Sequence, residues 1–212
     1  MTDRLNNIFR ELSNCKVFAD IGCDHGYIAK EMVERKKCDL AIIADISAPC
    51  LKKAEELLSE HIKSGKVKSV VSDGFDKIKG CDLALIAGMG GEEIISILAK
   101  SAFLPDKLVL QPMKNTDKVR VEVVKIGYKI EKDFTFKSGG KFYDIIVLSL
   151  GEDHLTEREI MFGRTNIKEL PVAFVEKMQL EKKKAENFLK MTMPDKKKLE
   201  LSAYLEMVND YV

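Results

Sequence analysis

The chain has 212 residues, 45% hydrophobic and 33% charged, enough for one core that buries roughly 70% of the unfolded surface. Its formal net charge of +1 excludes a protein held on nucleic acid by bulk charge, so any basic footprint must be local. The five cysteines form no C-x-x-C pair and the three histidines lie far apart, which argues against a zinc or redox scaffold and for reduced thiols without a metal.

In chain order, Leu5, Ile8, Phe9 and Leu12 fall at helical spacing, so residues 2–13 read as an amphipathic opening helix. The segment Met1–Asn7 carries an acid and no apolar core, so no signal peptide is expected. Strands and helices then alternate. Val17–Ile21 reads as a strand, followed by a helix over about 25–36. Leu40–Asp45 is a second strand, with Ser47 capping the next helix and Pro49 in its first turn. Val67–Val71, Leu83–Ala87 and Leu108–Leu110 are three more strands, and helices follow the last two at about Ile94–Leu98 and 115–126.

After Gly127 the pattern changes. Tyr128–Phe136 and Phe142–Leu150 are long strands joined by Ser138-Gly139-Gly140, a hairpin by composition. The apolar windows near 83–87 and 145–150 are strand-length and too short to span a bilayer, so a cytoplasmic protein with no membrane partner is expected. Beyond Gly151 no strand signal remains. A helix over about 171–191, a break at Met193-Pro194-Asp195 and a last segment with Leu201, Leu205, Val208 and Val212 read as a helical hairpin. The predicted fold is α/β, Rossmann-like, with a mixed seven-stranded sheet, helices on both faces and a C-terminal α-helical hairpin. Residues 1–150 form the expected catalytic domain and 151–212 a coiled-coil-like helical subdomain.

The chemistry concentrates where strands end. Asp20 closes the first strand, Gly22 turns the chain, and Asp24, His25, Gly26 and Tyr27 open the helix. A dinucleotide pyrophosphate would rest on that helix start, and two carboxylates there would repel it. They suit a cofactor with a cationic amino-acid part, such as S-adenosylmethionine. Asp45 ends the second strand 25 residues after Asp20, where a carboxylate can accept hydrogen bonds from ribose hydroxyls. Asp73-Gly74 follows the third strand, where an acid can accept an adenine amino group. Gly88-Met89-Gly90-Gly91 follows the fourth, where three glycines allow a ligand to approach the backbone; no Lys-Ser/Thr pair follows, which excludes a Walker loop.

Together these residues resemble a known family. Ala-Asp-Ile-Gly-x-Asp-His-Gly-Tyr at 19–27, Asp-Gly at 73–74, Ile-Ala-Gly-Met-Gly-Gly at 86–91 and Leu-x-Leu-Gln-Pro at 108–112 resemble, in order, the bacterial tRNA (adenine(22)-N1)-methyltransferases. The likeness runs from about residue 5 to 150. It implies a class I methyltransferase fold, S-adenosylmethionine as methyl donor without a metal, and tRNA as partner. By position, Asp20, Gly22, Asp24, His25, Gly26 and Tyr27 would hold the donor's methionine, Asp45 and Ile46 its ribose, and Asp73 and Gly74 its adenine. Gly88, Met89, Gly90 and Gly91 would border donor and substrate. Gln111 and Pro112 would close the substrate side with Gly88 and Met89. Because the methylated base is cationic, Asp20 or Asp24 could stabilise the developing charge besides its main role in donor binding. Arg120 matches a family arginine. The chain departs from the pattern at Asp45, where the family carries glutamate, and after Arg120, where an expected aromatic is missing.

Adenine N1 carries an in-plane lone pair, so it can attack a sulfonium methyl without a general base, and His25 reads as a donor contact. Met89 and Tyr27 are the nearest stacking partners for an extruded base. Residues 107–141 hold nine Lys/Arg against four acids, and 163–200 hold ten against six. The tail fits either tRNA contact or a homodimer through the helices, besides a plain monomer. Rival readings are a methyltransferase for another RNA or for protein, and a non-catalytic donor-binding RNA module. A nicotinamide oxidoreductase fails on the missing G-x-G-x-x-G spacing.

Overall fold

A computed structural model describes all 212 residues. Helix α1 (Asp3–Glu11), capped by the Thr2 hydroxyl, precedes strand β1 (Val17–Ile21). Then come α2 (Tyr27–Glu34), β2 (Leu40–Asp45), α3 (Ala48–Leu57), α4 (Ser59–Lys63) and β3 (Val67–Val71). Next are β4 (Leu83–Met89), α5 (Gly91–Lys100), β5 (Lys107–Pro112), α6 (Thr116–Lys125) and the hairpin β6 (Tyr128–Ser138) and β7 (Lys141–Leu150). The chain ends with α7 (Glu157–Phe162), α8 (Arg164–Glu169), α9 (Val172–Leu189) and α10 (Asp195–Asn209).

One seven-stranded sheet has the order β3-β2-β1-β4-β5-β7-β6. The first five strands are parallel, and β7 enters antiparallel between β5 and β6. Both faces are buried, one by 21 apolar residues centred on α1, α2 and α3, the other by 18 centred on α5 and α6. That near-equal division explains why β1 and β4 read as continuous apolar runs instead of alternating. Gly139 and Gly140 at the hairpin tip both have positive φ, the conformation a two-residue turn needs to follow the strands' twist.

Several elements differ from the sequence reading. Strand β4 runs on through Gly88 and Met89, with a register shift against β5 at that point. Strand β5 includes Gln111 and Pro112, placing both within the sheet instead of in a loop after it. Helices α7 and α8 carry no apolar periodicity long enough to read. Polar contacts fix α8 to β6, where Asp133 and Thr165 exchange two hydrogen bonds of 2.9 Å and Asn166 Oδ1 accepts from Thr135 N at 2.8 Å, and Asn166 Nδ2 in turn donates to Phe162 O of α7 at 2.8 Å. Under them Arg120 and Asp133, both almost wholly buried, pair at 2.8 Å, and Arg120 also donates to the Ile160 and Met161 carbonyls. Arg120 is thus a structural strut here, and its pairing does not need the missing aromatic. The hairpin of α9 and α10 closes on Phe162 through Phe174, Met178 and Val208. Phe174 takes the core position, whereas Phe188 is left exposed.

Candidate active site

Strands β1 and β4 end side by side at the centre of the sheet. Over their carboxyl ends lies a cavity of about 460 Å³, bordered by Asp20, Gly22, Asp24, His25, Tyr27, Asp45, Gly88 and Met89. Beside it, toward β3, a smaller cavity of about 200 Å³ is bordered by Ile46, Ser72, Asp73, Gly74 and Ile97. Gly22, Asp45 and Met89 border both, which makes the two cavities halves of one groove.

Gly22 is the saddle between the halves. Its φ is +70°, a conformation that strains any L side chain, and a Cβ there would also have to displace the Met89 methyl, so glycine keeps the groove floor as bare backbone. The turn is held by Gly22 N and Cys23 N donating to Ala44 O at 2.8 and 3.1 Å. Asp20 beneath it is 5% exposed. Burial pushes its carboxyl up to about 7, the Ala29 N–H opposes that rise, and the Asp45 charge adds to it. Asp24 reaches His25 Nδ1 at 2.8 Å, and the His25 ring lies parallel to Tyr27 with centroids 5.6 Å apart. Asp45 Oδ1 accepts from Ser47 N at 2.8 Å. Asp73 lies 3.5 Å from Lys100 Nζ, so the smaller half is not strongly anionic.

Five predicted positions lie elsewhere. Gly26 packs the start of α2 against Ala54 and Leu58, where a Cβ would come within 3.0 Å of both. Gly91 packs against the Lys114 and Asn115 carbonyls and donates its N–H to Lys114 O, so the start of α5 does not offer that group to a ligand. Gly90 adjoins the Lys114 side chain and borders neither half of the groove. Gln111 is fully buried, and its Oε1 accepts from Arg4 Nη1 at 3.0 Å while its Nε2 donates to Pro112 O. It therefore orients a neighbour and is covered from the cavity. Pro112 borders a different cavity, beyond Met113.

The neighbour Gln111 orients was missed from sequence. Arg4, in the first turn of α1, forms part of the cavity wall with Thr2 and Leu5. Its guanidinium stands 5.8 Å from the Tyr143 ring centroid and has no ion-pair partner. Nη1 lies 3.3 Å from where a Cβ on Gly88 (φ +80°) would be. The only sequence signal was a cation on the polar face of a short helix, which reads as solvated.

The cavity is therefore dipolar, with three carboxylates on the β1–β2 side and a guanidinium on the β4–β5 side. A zwitterionic amino acid attached to a nucleoside fits this charge pattern, with the nucleoside over Asp45 and Asp73. S-adenosylmethionine has that form, and its lack of phosphates matches the acids at the helix start. No group of three or more His, Cys, Asp or Glu side chains could hold a metal ion.

Residues 1–146 match the methyltransferase-domain family. A candidate tRNA methyltransferase of Mycoplasma pneumoniae is 32% identical over 155 residues, covering 70% of this chain and 71% of that one. The Bacillus subtilis tRNA (adenine(22)-N(1))-methyltransferase is 28% identical over 157 residues, 72% of this chain and 66% of that one. The chain belongs to the bacterial tRNA (adenine(22)-N1)-methyltransferase family. Its likeness to that family extends through the C-terminal helices. The crystal structure of a Streptococcus pneumoniae tRNA (m1A22) methyltransferase candidate in complex with S-adenosyl-L-methionine superposes with TM-score 0.88 at 27% identity, covering 100% of this chain and 99% of that one. A further crystal structure of the same protein superposes with TM-score 0.93 at 26% identity, covering 100% of this chain and 99% of that one.

Proposed function

We propose that this protein transfers a methyl group from S-adenosylmethionine to N1 of an adenine in tRNA, at position 22. The observation that carries the reading is the single groove over β1 and β4, acidic toward β2 and closed by Arg4 toward β5. The relatives named as adenine-22 N1-methyltransferases support the same acceptor.

When bound, S-adenosylmethionine supplies an electrophilic sulfonium methyl. The chain's part is positional. Asp45 and Asp73 hold the nucleoside, Asp20 and Asp24 take the ammonium side, and Arg4, kept in place by Gln111, takes the carboxylate side. Gly88 brings bare backbone to the acceptor edge, with Met89 and Met113 as its apolar lining. Adenine N1 needs no deprotonation, so no side chain has to take a proton, and His25 serves by orienting Asp24. Positive charge moves from sulfur to the base during transfer, and the carboxylates beside it stay complementary throughout. Most of the rate then comes from alignment and exclusion of water.

In this reading residues 1–150 carry the donor and the chemistry, 151–212 form a helical subdomain, and the protein works in the cytoplasm where tRNA is found. No helix is long and apolar enough to cross a membrane. Incubation with methyl-labelled S-adenosylmethionine and either total tRNA or total protein tests the reading. Label should enter tRNA and stop reverse transcription at adenine 22, and a transcript with guanine there should stay unlabelled. Label in protein alone would defeat it.

A further inference from the structure

Beyond Met113 the fold holds a second and larger cavity, of about 590 Å³, between the catalytic sheet and the C-terminal helices. Phe142, Tyr143 and Asp144 of β7 border it on one side, the loop from Lys114 to Thr116 on another, and Lys177 of α9 with Tyr204 of α10 on the third. Met113, 51% exposed, is the one residue shared by this cavity and the donor cavity.

The sheet order dictates what passes between the two. The donor's nucleoside half lies toward β3, so an acceptor base can reach the methyl only from the β5 side. An RNA strand delivering that base must continue across Met113 toward β7, where the second cavity lies. Its volume falls within the roughly 300–1,000 Å³ typical of pockets for nucleotide-sized ligands. Its lining mixes aromatic rings with amide, hydroxyl and ammonium groups, the set that holds an unstacked base and its phosphate. Most of its acids are already engaged. Asp144 accepts from Lys177 Nζ at 3.0 and 3.1 Å and from the Thr116 and Thr135 hydroxyls, and Glu181 accepts from Lys184 at 2.8 Å. Asp117 remains in the first turn of α6, while Lys114 is a cation with no carboxylate within 4 Å. Burial pushes the Tyr204 hydroxyl up to about 12, so it stays a neutral donor.

We propose that this cavity receives an unpaired nucleotide next to the target adenine, with its base against Phe142 and Tyr204 and its phosphate beside Lys114. The proposal rests on the RNA-methylating function above. It assigns the C-terminal helices a place in the active complex, as the far wall of a second base site.

The test uses tRNA transcripts carrying an abasic residue immediately 5′ or 3′ of the target adenine. For the intact enzyme, one of the two should raise KM by about 5- to 100-fold, the range of one lost base–aromatic stack, with kcat nearly unchanged. Phe142→Ala should raise KM for the intact transcript to a similar degree and lose nothing more on the abasic one. Lys114→Ala should weaken binding several-fold and flatten its salt dependence. Melting temperature and donor affinity of both variants should stay at the parent's values. Abasic transcripts that react like the intact one, or losses that simply add, would overturn the proposal. RNA affinity measured in parallel by fluorescence anisotropy reads the same differences without methyl transfer. A flank effect on binding with no methyl transferred would therefore sink the functional reading alone.

Discussion

Asp20 shows how one buried side chain sets the working range of the groove. Its folded pKa of about 7 lies above the unfolded 3.8, so between those values the folded protein holds a proton that the unfolded chain lacks. Folding stability contributed by this group therefore falls as pH rises through that window, and is fully present only below it. A cationic donor reverses the preference by favouring the ionised form. Donor affinity should climb by up to about tenfold per pH unit below 7 and level off above it. Asp20→Asn should flatten that profile, weaken donor binding at pH 8 and raise thermal stability there. Calorimetry and melting across pH 5–9 check all three, and an unchanged donor affinity in the variant would remove Asp20 from the site. Arg4→Ala should weaken S-adenosylmethionine far more than a decarboxylated analogue, whereas equal losses would mean that Arg4 does not meet the carboxylate. Asp20, Asp45 and Asp73 were legible because acids at strand ends stand out against apolar runs. Arg4 was not, because its role depends on where α1 lands, and no local pattern encodes that.

At the scale of elements, the polar joint under α7 and α8 decides more than helix propensity does. The Arg120–Asp133 pair is closed from water, so removing one partner strands the other charge. Arg120→Met should destabilise the protein by roughly 3–5 kcal/mol, and replacing Asp133 as well by Leu should recover only the part due to the stranded charge, because Thr165 N then loses its acceptor. Urea titrations of the single and double variants measure it, and a single variant as stable as the parent would contradict the strut. Sequence periodicity found α9 and α10 because long helices repeat their apolar face. It missed α7 and α8, six residues each: α8 is held to β6 through Asp133, Thr165 and Asn166, and α7 by Arg120 and Asn166 donating to its carbonyls. The same limit explains β4. A strand continuing through Gly88 reads as a glycine loop until its pairing with β5 is known.

At the scale of the molecule, a net charge of +1 conceals a local footprint. Lys196, Lys197 and Lys198 occupy the first turn of α10, where cations oppose the helix dipole and gain nothing for folding. Their placement suits contact with phosphates along the RNA path past Tyr204. Replacing all three by glutamate should weaken tRNA binding about tenfold or more near 0.1 M salt and lower the salt slope by up to about 3, with donor affinity unchanged. Binding titrations at several salt concentrations test it. An unaltered slope, together with concentration-dependent association on sizing, would instead assign the hairpin to dimerisation.

By itself the sequence determined the order of the strands and of the longer helices, the nucleoside groove and the exclusion of a pyrophosphate. These follow from hydrophobic period and from like charges crowded at a turn, which are properties of neighbouring residues. The tertiary structure alone decided that Arg4 closes the groove and that Gln111 stands behind it. It also decided that Gly26 and Gly91 serve packing, and that a second cavity opens past Met113. Each of those depends on side chains brought together from distant segments, as Arg4 and Gln111 are at the carboxyl end of β5, and burial and charge at such a meeting exist only once the chain has folded.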